Sequence, residues 1–201
     1  MSDDSISLGT DQDRPARADA LQNRAEILRV AARLFDEQGV EHVSMSQIGR
    51  EADVGKGTLY RHFRNKADLC HALLDSEQRA LQERTFSHLR TSQESPCEQL
   101  LWFLEELLAF TGKYIDLLVE ATQERFGTAE LTFSHPAHHW QRLTIAGLLR
   151  QTDFQGDSDY MADVFYALLD PRLYHFQRTV RGYDHQRIVT GFLDVMRRIL
   201  F

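Results

Sequence analysis

Long apolar runs are missing from this sequence. No segment offers the roughly 20 consecutive apolar residues that a membrane-spanning helix needs, and the opening stretch, MSDDSISLGTDQDRPARADA, has neither the basic start nor the apolar core of a secretory signal. The expectation is a cytoplasmic protein with no membrane partner. Cysteine is scarce: Cys70 and Cys97 stand 27 positions apart without a metal-like spacing, and both are expected as reduced thiols packed on helices. Runs that alternate apolar and polar residues at the strand period are absent too. So are a glycine-rich phosphate loop, a serine elbow and a zincin motif, which leaves only scattered His and Glu residues for any catalysis. Neither an enzyme nor a cofactor is expected.

What is present is helical. With 201 residues, 42% of them hydrophobic, the chain can bury one or two ordinary cores, and its apolar residues recur almost throughout at three- and four-residue intervals. This predicts an all-α fold. Residues 1–20 are polar, Asp-rich and aperiodic, and are expected as a disordered arm. A first helix over 22–38 carries a stripe of Ile27, Val30, Ala31, Leu34 and Phe35, with Gly39 as its stop. Ser44 and Gln47 have the spacing of a capping box, and Met45, Ile48 and Ala52 give the short helix behind them an apolar face. Gly55 and Gly57 bracket the start of a third helix over 56–63, and Asn65 and Asp68 suit the cap and first turn of a fourth running through Leu69 and Leu73. Beyond it, helices are expected over 98–112 behind Ser95 and Pro96, then 114–126, 138–151, 158–181 with an interruption at Pro171, and 184–201. The helix over 98–112 is apolar on nearly every side and is expected in the middle of a bundle.

A net charge of −7 hides a local asymmetry. Residues 54–66 hold four basic side chains, Lys56, Arg61, Arg64 and Lys66, and no acidic one, whereas residues 67–201 hold 13 basic against 19 acidic. The cationic segment coincides with two short helices joined by a tight turn. That is the arrangement a helix-turn-helix needs to lay its second helix in a major groove about 12 Å wide. On a helical wheel Leu59 and Phe63 point towards a small core with Ile48 and Val54, leaving Gly57, Thr58 and Arg61 on the far side, flanked by Tyr60 and His62. A glycine lets the backbone approach a duplex, Thr58 and Tyr60 can donate to phosphate oxygens, and Lys56 and Arg61 can reach phosphates or guanine edges. Ser44 and Lys66 stand where neighbouring helices start and can clamp phosphates. From charge alone a solvated basic loop and helix reads equally well; capping, length and wheel geometry favour DNA.

The run GVEHVSMSQIGREADVGKGTLYRHFRNKADL over 39–69, preceded by AEILRVAARLFDEQG, resembles the DNA-binding region of the tetracycline-repressor (TetR) family. Glycine, aromatic and basic positions agree together along the motif, while beyond Leu74 the likeness is of size and helical layout only. The resemblance implies a ligand-responsive repressor that binds a palindromic operator as a homodimer and is released by a small-molecule inducer. It divides the chain into an arm (1–20), a three-helix DNA-binding domain (21–67) and a helical sensing and dimerisation domain (68–201). Carried over by position, it implies that Gly55, Lys56, Gly57 and Arg61 face bases, while Ser44, Thr58, Tyr60, His62 and Lys66 hold the sugar-phosphate backbone. Two residues depart from the family pattern. Gly49 replaces a small alanine, which loosens the helix by about 1 kcal/mol, and Asp53 stands where a glycine often ends it.

The resemblance also implies a dimer formed by the last two helices of each subunit, to which Met161, Val164, Phe165, Leu168 and Leu169 and the stripe of Ile188, Phe192, Val195, Met196 and Ile199 are suited. By pattern alone these residues serve equally well to close each monomer's own core. Two recognition helices must meet successive major grooves about 34 Å apart, which also asks for two copies. Candidate effector-binding residues are Trp102, Phe103, Phe110, Tyr114, Trp140 and Tyr166, with Glu120, Gln123, Glu124 and His139 as polar anchors; Phe126 and Phe133 are further aromatics. His135, His138 and His139 are grouped, but Pro136 puts His135 at or before a first turn and no carboxylate or cysteine stands at a matching spacing. They are expected to face solvent or a pocket and to bind no metal. The expected partners are double-stranded operator DNA, a second copy and a small-molecule effector, and the expected location is the cytoplasm, on the nucleoid when DNA is bound. The alternatives are a constitutive DNA binder without ligand sensing and a helical enzyme.

Overall fold

A computed structural model describes residues 13–123 and 136–200, with the side chains of 19–122 and 138–200. The described chain runs α1 (Asp13–Gln38), a 3-10 turn (Val40–His42), α2 (Met45–Glu51), α3 (Lys56–His62), α4 (Lys66–Thr91), α5 (Pro96–Lys113), α6 (Ile115–Gln123), α7 (Pro136–Leu149), α8 (Ser158–Leu168), α9 (Pro171–Thr179) and α10 (His185–Leu200), with no strand among these residues. It forms two compact units, one up to Lys66 and one from Ala67.

α1 starts at Asp13, well before the position near 22 that periodicity suggests, so the expected disorder is wrong for residues 13–20; residues 1–12 lie outside the described residues. The physical reason is local. Asp13 stands at the positive end of the helix dipole, Pro15 lies in the first turn, where its missing N–H has no intrahelical partner to lose, and an alanine-rich stretch extends a helix nucleated further along at little cost.

In the first unit the expected stripe of α1 is buried: Ile27, Val30, Ala31, Leu34 and Phe35 join Val40, Val43, Met45, Ile48, Ala52, Leu59 and Phe63 in one core. α1 packs on α2 and on the 3-10 turn, and α2 packs on α3. Val54, expected in that core, is only half-buried. Ser44 caps α2 by accepting from the Gln47 N–H at 3.2 Å. The other half of the expected capping box does not form, because the Gln47 amide donates to Gln38 Oε1 at 3.0 Å and ties α2 to α1 instead.

The turn from α2 to α3 is a Schellman closure. Val54 N–H donates to Gly49 O at 3.0 Å and Asp53 N–H to Arg50 O at 3.2 Å. Asp53 holds φ at +50°, the left-handed conformation that favours glycine. Gly49 has its own explanation: a methyl group there would lie 3.1 Å from Leu59 Cδ2, so its absence is what lets Leu59 seat α3 against α2.

In the second unit α5 is central, packing on α6, α7, α9 and α10. Its start carries a complete capping box between Ser95 and Glu98. Leu100, Phe103, Leu104, Leu107, Leu108 and Phe110 are buried, yet Glu105, Ala109 and Lys113 stay exposed, so one side of α5 faces out. α7 is clasped to α8 by Arg142, which donates to the Asp163 carboxylate and to Asp159 O, and by Arg150, which donates to both Asp159 carboxylate oxygens at 2.7 Å. Pro171 and its cap Asp170 split the expected 158–181 helix into α8 and α9. Near the end of α5, a methyl group on Gly112 would lie 2.7 Å from Tyr174 Oη and 2.9 Å from His185 Nδ1, and these two atoms are hydrogen-bonded to each other at 2.8 Å. The C-terminal apolar stripes divide: Phe165, Leu169, Ile188 and Met196 are buried, Met161, Val164 and Phe192 are half-buried, and Leu168, Val195 and Ile199 are exposed.

Asp53→Gly relieves the one left-handed non-glycine residue described. It should raise stability by about 0.5–1 kcal/mol, read as a higher urea midpoint with an unchanged slope; a midpoint that stays or falls would mean that the carboxylate is useful to the turn.

Candidate nucleic-acid interface

α3 has seven residues, too few to be stable as an isolated helix, so its orientation is fixed by what it buries. Leu59 and Phe63 are 1% and 2% exposed. Gly55, Lys56, Gly57, Tyr60 and Arg61 consequently stand on the exposed side and Thr58 is half-buried. Lys56 Nζ lies 6.0 Å from the centroid of the Tyr60 ring. Among the described residues neither Lys56 nor Arg61 is in an ion pair, whereas Arg29, Arg33, His42 and Arg50 are. Around Gly55 and Gly57 a methyl group would meet nothing within 4 Å. No neighbour inside the protein therefore requires these glycines.

Three of the expected backbone-holding residues are placed differently from one another. Ser44 is exposed, and its hydroxyl hydrogen remains available while its oxygen caps α2. His62 is half-buried with Nε2 covered and without a hydrogen-bond partner. Burial first, then the charges of Arg61 and Arg24, lowers its pKa, which keeps the ring neutral. The Lys66 ammonium donates to Val40 O at 2.8 Å and Val43 O at 3.3 Å, so it also holds the segment ahead of α2. Sequence spacing gave no signal for either contact.

Among the described residues the candidate effector residues meet in pairs and not around one cavity. Phe103 and Phe110 are core residues. Trp102 stacks on His88 at 3.7 Å between ring centroids, with His88 Nε2 2.9 Å from Glu94 Oε2. Tyr114 donates to Glu77 on α4 and lies under the Lys113 ammonium at 4.7 Å. Trp140 lies 5.6 Å from Phe103 and 6.3 Å from Phe86. Tyr166 is hydrogen-bonded to His138 Nδ1, His139 is exposed and Glu120 is half-buried. The side chain of Gln123, and Glu124, Phe126, Phe133 and His135, lie outside the described residues. A cavity of about 320 Å³ opens instead among α5, α8, α9 and α10, bordered by Leu108, Leu169, Leu173, Ile188, Phe192 and Val195, and none of the candidates borders it. Among the described residues no three His, Cys, Asp or Glu side chains are grouped for a metal ion, and no helix is long and apolar enough to cross a membrane.

Residues 27–73, which span α2, the turn and α3, match the family model of bacterial regulatory proteins of the tetR family. An HTH-type transcriptional regulator of Staphylococcus aureus (strain MRSA252) is 32% identical over 163 residues, 80% of this chain and 85% of that protein. The chain belongs to the TetR family. A TetR-family transcriptional regulator from Pectobacterium atrosepticum has the same fold, with a TM-score of 0.67 at 20% identity over 92% of this chain and 95% of that one. Thermus thermophilus FadR, a TetR-family repressor crystallised with lauroyl-CoA, gives 0.66 at 19% identity, covering 89% and 95%. As a TetR-family member the protein is a transcriptional regulator with an N-terminal helix-turn-helix; its relatives and fold neighbours are regulators, not enzymes.

In this TetR-family motif Gly57 is the second residue of α3, with open space around it. Gly57→Ala should therefore raise thermal stability by about 0.5–1 kcal/mol while weakening operator binding severalfold in a gel-shift titration. Unchanged affinity would show that no duplex approaches the backbone there.

Proposed function

We propose that this regulator is a repressor that binds a palindromic operator as a homodimer and is released by a small-molecule inducer. The observation that carries the reading is the outer side of α3. Two cations without an ion pair among the described residues, an exposed tyrosine and two glycines with no internal reason to be glycines suit the close approach of a polyanion. In this reading Gly55, Lys56, Gly57 and Arg61 face bases, and Ser44, Thr58 and Tyr60 hold phosphates. His62 and Lys66 serve mainly to set the shape of the motif. The DNA-binding domain extends to about residue 67, and the rest of the chain senses and dimerises. Binding should be tested at fixed salt on the upstream region of the chain's own gene, with genome-wide selection as the second source of operator. Tyr60→Ala, at a residue 40% exposed, should lose competitor-resistant binding by at least tenfold. Equal binding by wild type and variant would remove α3 from the interface.

The dimer rests on a separate observation. Leu168, Leu173, Phe176, Val180, Val195 and Ile199, on or beside α8, α9 and α10, are all large, apolar and exposed, and Gly191 of α10 is exposed without a neighbour. Such a concentration of apolar surface favours a covering partner, and a two-fold copy would also supply the second recognition helix. The cavity beside Val195 belongs to this face. For the effector, the fold neighbours crystallised with lauroyl-CoA, stearoyl-CoA and choline support small-molecule sensing as the mode of release. A cytoplasmic location, on the nucleoid when DNA is bound, goes with this role.

Val195→Asp puts a carboxylate on the exposed face at a residue 48% exposed. Sedimentation equilibrium should give twice the monomer mass for wild type and the monomer mass for the variant, with helix content retained; a variant still dimeric would move the interface elsewhere.

A further inference from the structure

The cavity of about 320 Å³ among α5, α8, α9 and α10 has one polar end and one apolar end. α9 and α10 are joined by the turn at 180–184. The bordering residues nearest that turn are Gln177, Tyr183 and Arg187. Those farthest from it, Leu168 and Leu169 ahead of α9 and Val195 and Met196 along α10, are all apolar. Tyr174 also borders the cavity, with its hydroxyl already bonded to His185 Nδ1. From Arg187 to Met196 the helix rises about 14 Å, and the volume corresponds to about ten groups the size of a water molecule.

Gly191 stands midway between the two ends. A glycine inside a helix costs stability against alanine, and a methyl group there would meet nothing within 4 Å, so packing inside the chain does not call for it. Its missing side chain leaves the cavity continuous from the polar end to the apolar one.

Arg187 is the single charged residue bordering the cavity among the described residues. Its guanidinium carbon lies 3.8 Å from the centroid of the Tyr183 ring, and it is in no ion pair among those residues. Stacking engages the face of a guanidinium and leaves the N–H groups of its edge able to donate. The charge around it has the same sign. Residues 177–187 carry Arg178, Arg181 and Arg187 against Asp184, whose carboxylate accepts from the Arg187 backbone N–H at 2.7 Å.

An occupant has to suit both ends. A polyanion would find one bordering cation and then hydrocarbon walls, a cation would meet Arg187 with no bordering carboxylate, and a neutral chain would gain the walls alone. A single carboxylate on an apolar chain matches the whole length, because a guanidinium edge can donate to both carboxylate oxygens while leucine, valine and methionine cover the tail.

We propose that this cavity binds an aliphatic monocarboxylate of medium length, with its carboxylate on Arg187 and its chain running past Gly191 towards Val195 and Met196. Its action as the effector rests on the small-molecule release proposed above. The competing occupant is the second copy of the proposed dimer, since Leu168, Leu173 and Val195 at the rim are among the exposed residues of that face.

The test titrates the full-length protein with decanoate, decanol and decyltrimethylammonium by isothermal calorimetry, with sedimentation equilibrium and circular dichroism as checks on mass and folding. Decanoate should bind wild type about tenfold more tightly than either of the others. Arg187→Glu, at an exposed residue, should weaken decanoate by about tenfold or more and bind decyltrimethylammonium more tightly than wild type does. Gly191→Leu should fill the cavity and remove the binding of all three. A wild-type dimer that takes up no decanoate would give the cavity to the second copy and overturn the site. Decanoate affinity left unchanged by both substitutions would also overturn it, by placing the ligand elsewhere. Uptake with the expected variant effects, but with operator affinity unmoved by decanoate in fluorescence anisotropy, would confirm the site and sink the carboxylate as inducer.

Discussion

The burial of Leu59 and Phe63 in the core of the first unit is the contact on which the orientation of α3 depends. A helix as short as α3 cannot hold itself together in water, so it exists only as far as those side chains are covered. Covering them also fixes its rotation. Gly49 supplies the recess: with a methyl group there, Leu59 would be displaced by a few tenths of an ångström and α3 with it. The charge and glycine pattern on the opposite side is therefore a consequence of packing at one point. The departure from the family pattern at Gly49 thus lies on the packed side of α3, away from its exposed side.

Much of this was legible in the sequence because burial imposes a period. The stripe from Ile27 to Phe35 and the apolar run of the central helix each announce a buried face, and Ser95 with Pro96 announces the start that the structure shows. What escaped are contacts whose partner lies far along the chain. Lys66 reads as a free cation until Val40 and Val43, more than twenty positions earlier, turn their carbonyls towards it. Gln47 reads as half of a capping box until Gln38 of the preceding helix competes for its amide. Asp13 to Ala20 read as disordered because composition measures how well a segment folds alone, and this segment only has to prolong a helix already paid for elsewhere.

The second unit was less legible for a related reason. An aromatic residue satisfies a core, a stacked pair or a ligand equally well, and spacing does not say which. Phe103 fills the core, Trp102 stacks on His88, and Tyr114 and Tyr166 reach polar partners on other helices. The C-terminal stripes carried the opposite ambiguity, since monomer core and dimer face produce the same apolar period. On α10 the stripe splits into a buried part, Ile188 and Met196, and an exposed part, Val195 and Ile199. One helix thus serves an inner and an outer apolar surface, and only the phase between them differs.

Where α5 meets α9 and α10 there is no side chain on Gly112, only backbone facing the bonded pair of Tyr174 and His185. Most helix contacts absorb small displacements by a change of rotamer. This one has no rotamer to change on one side and a hydrogen bond restraining the other. The central helix, α9 and α10 are thus joined at a stiff bearing, through which a push on α5 would pass to α9 and α10 with little lost to local repacking.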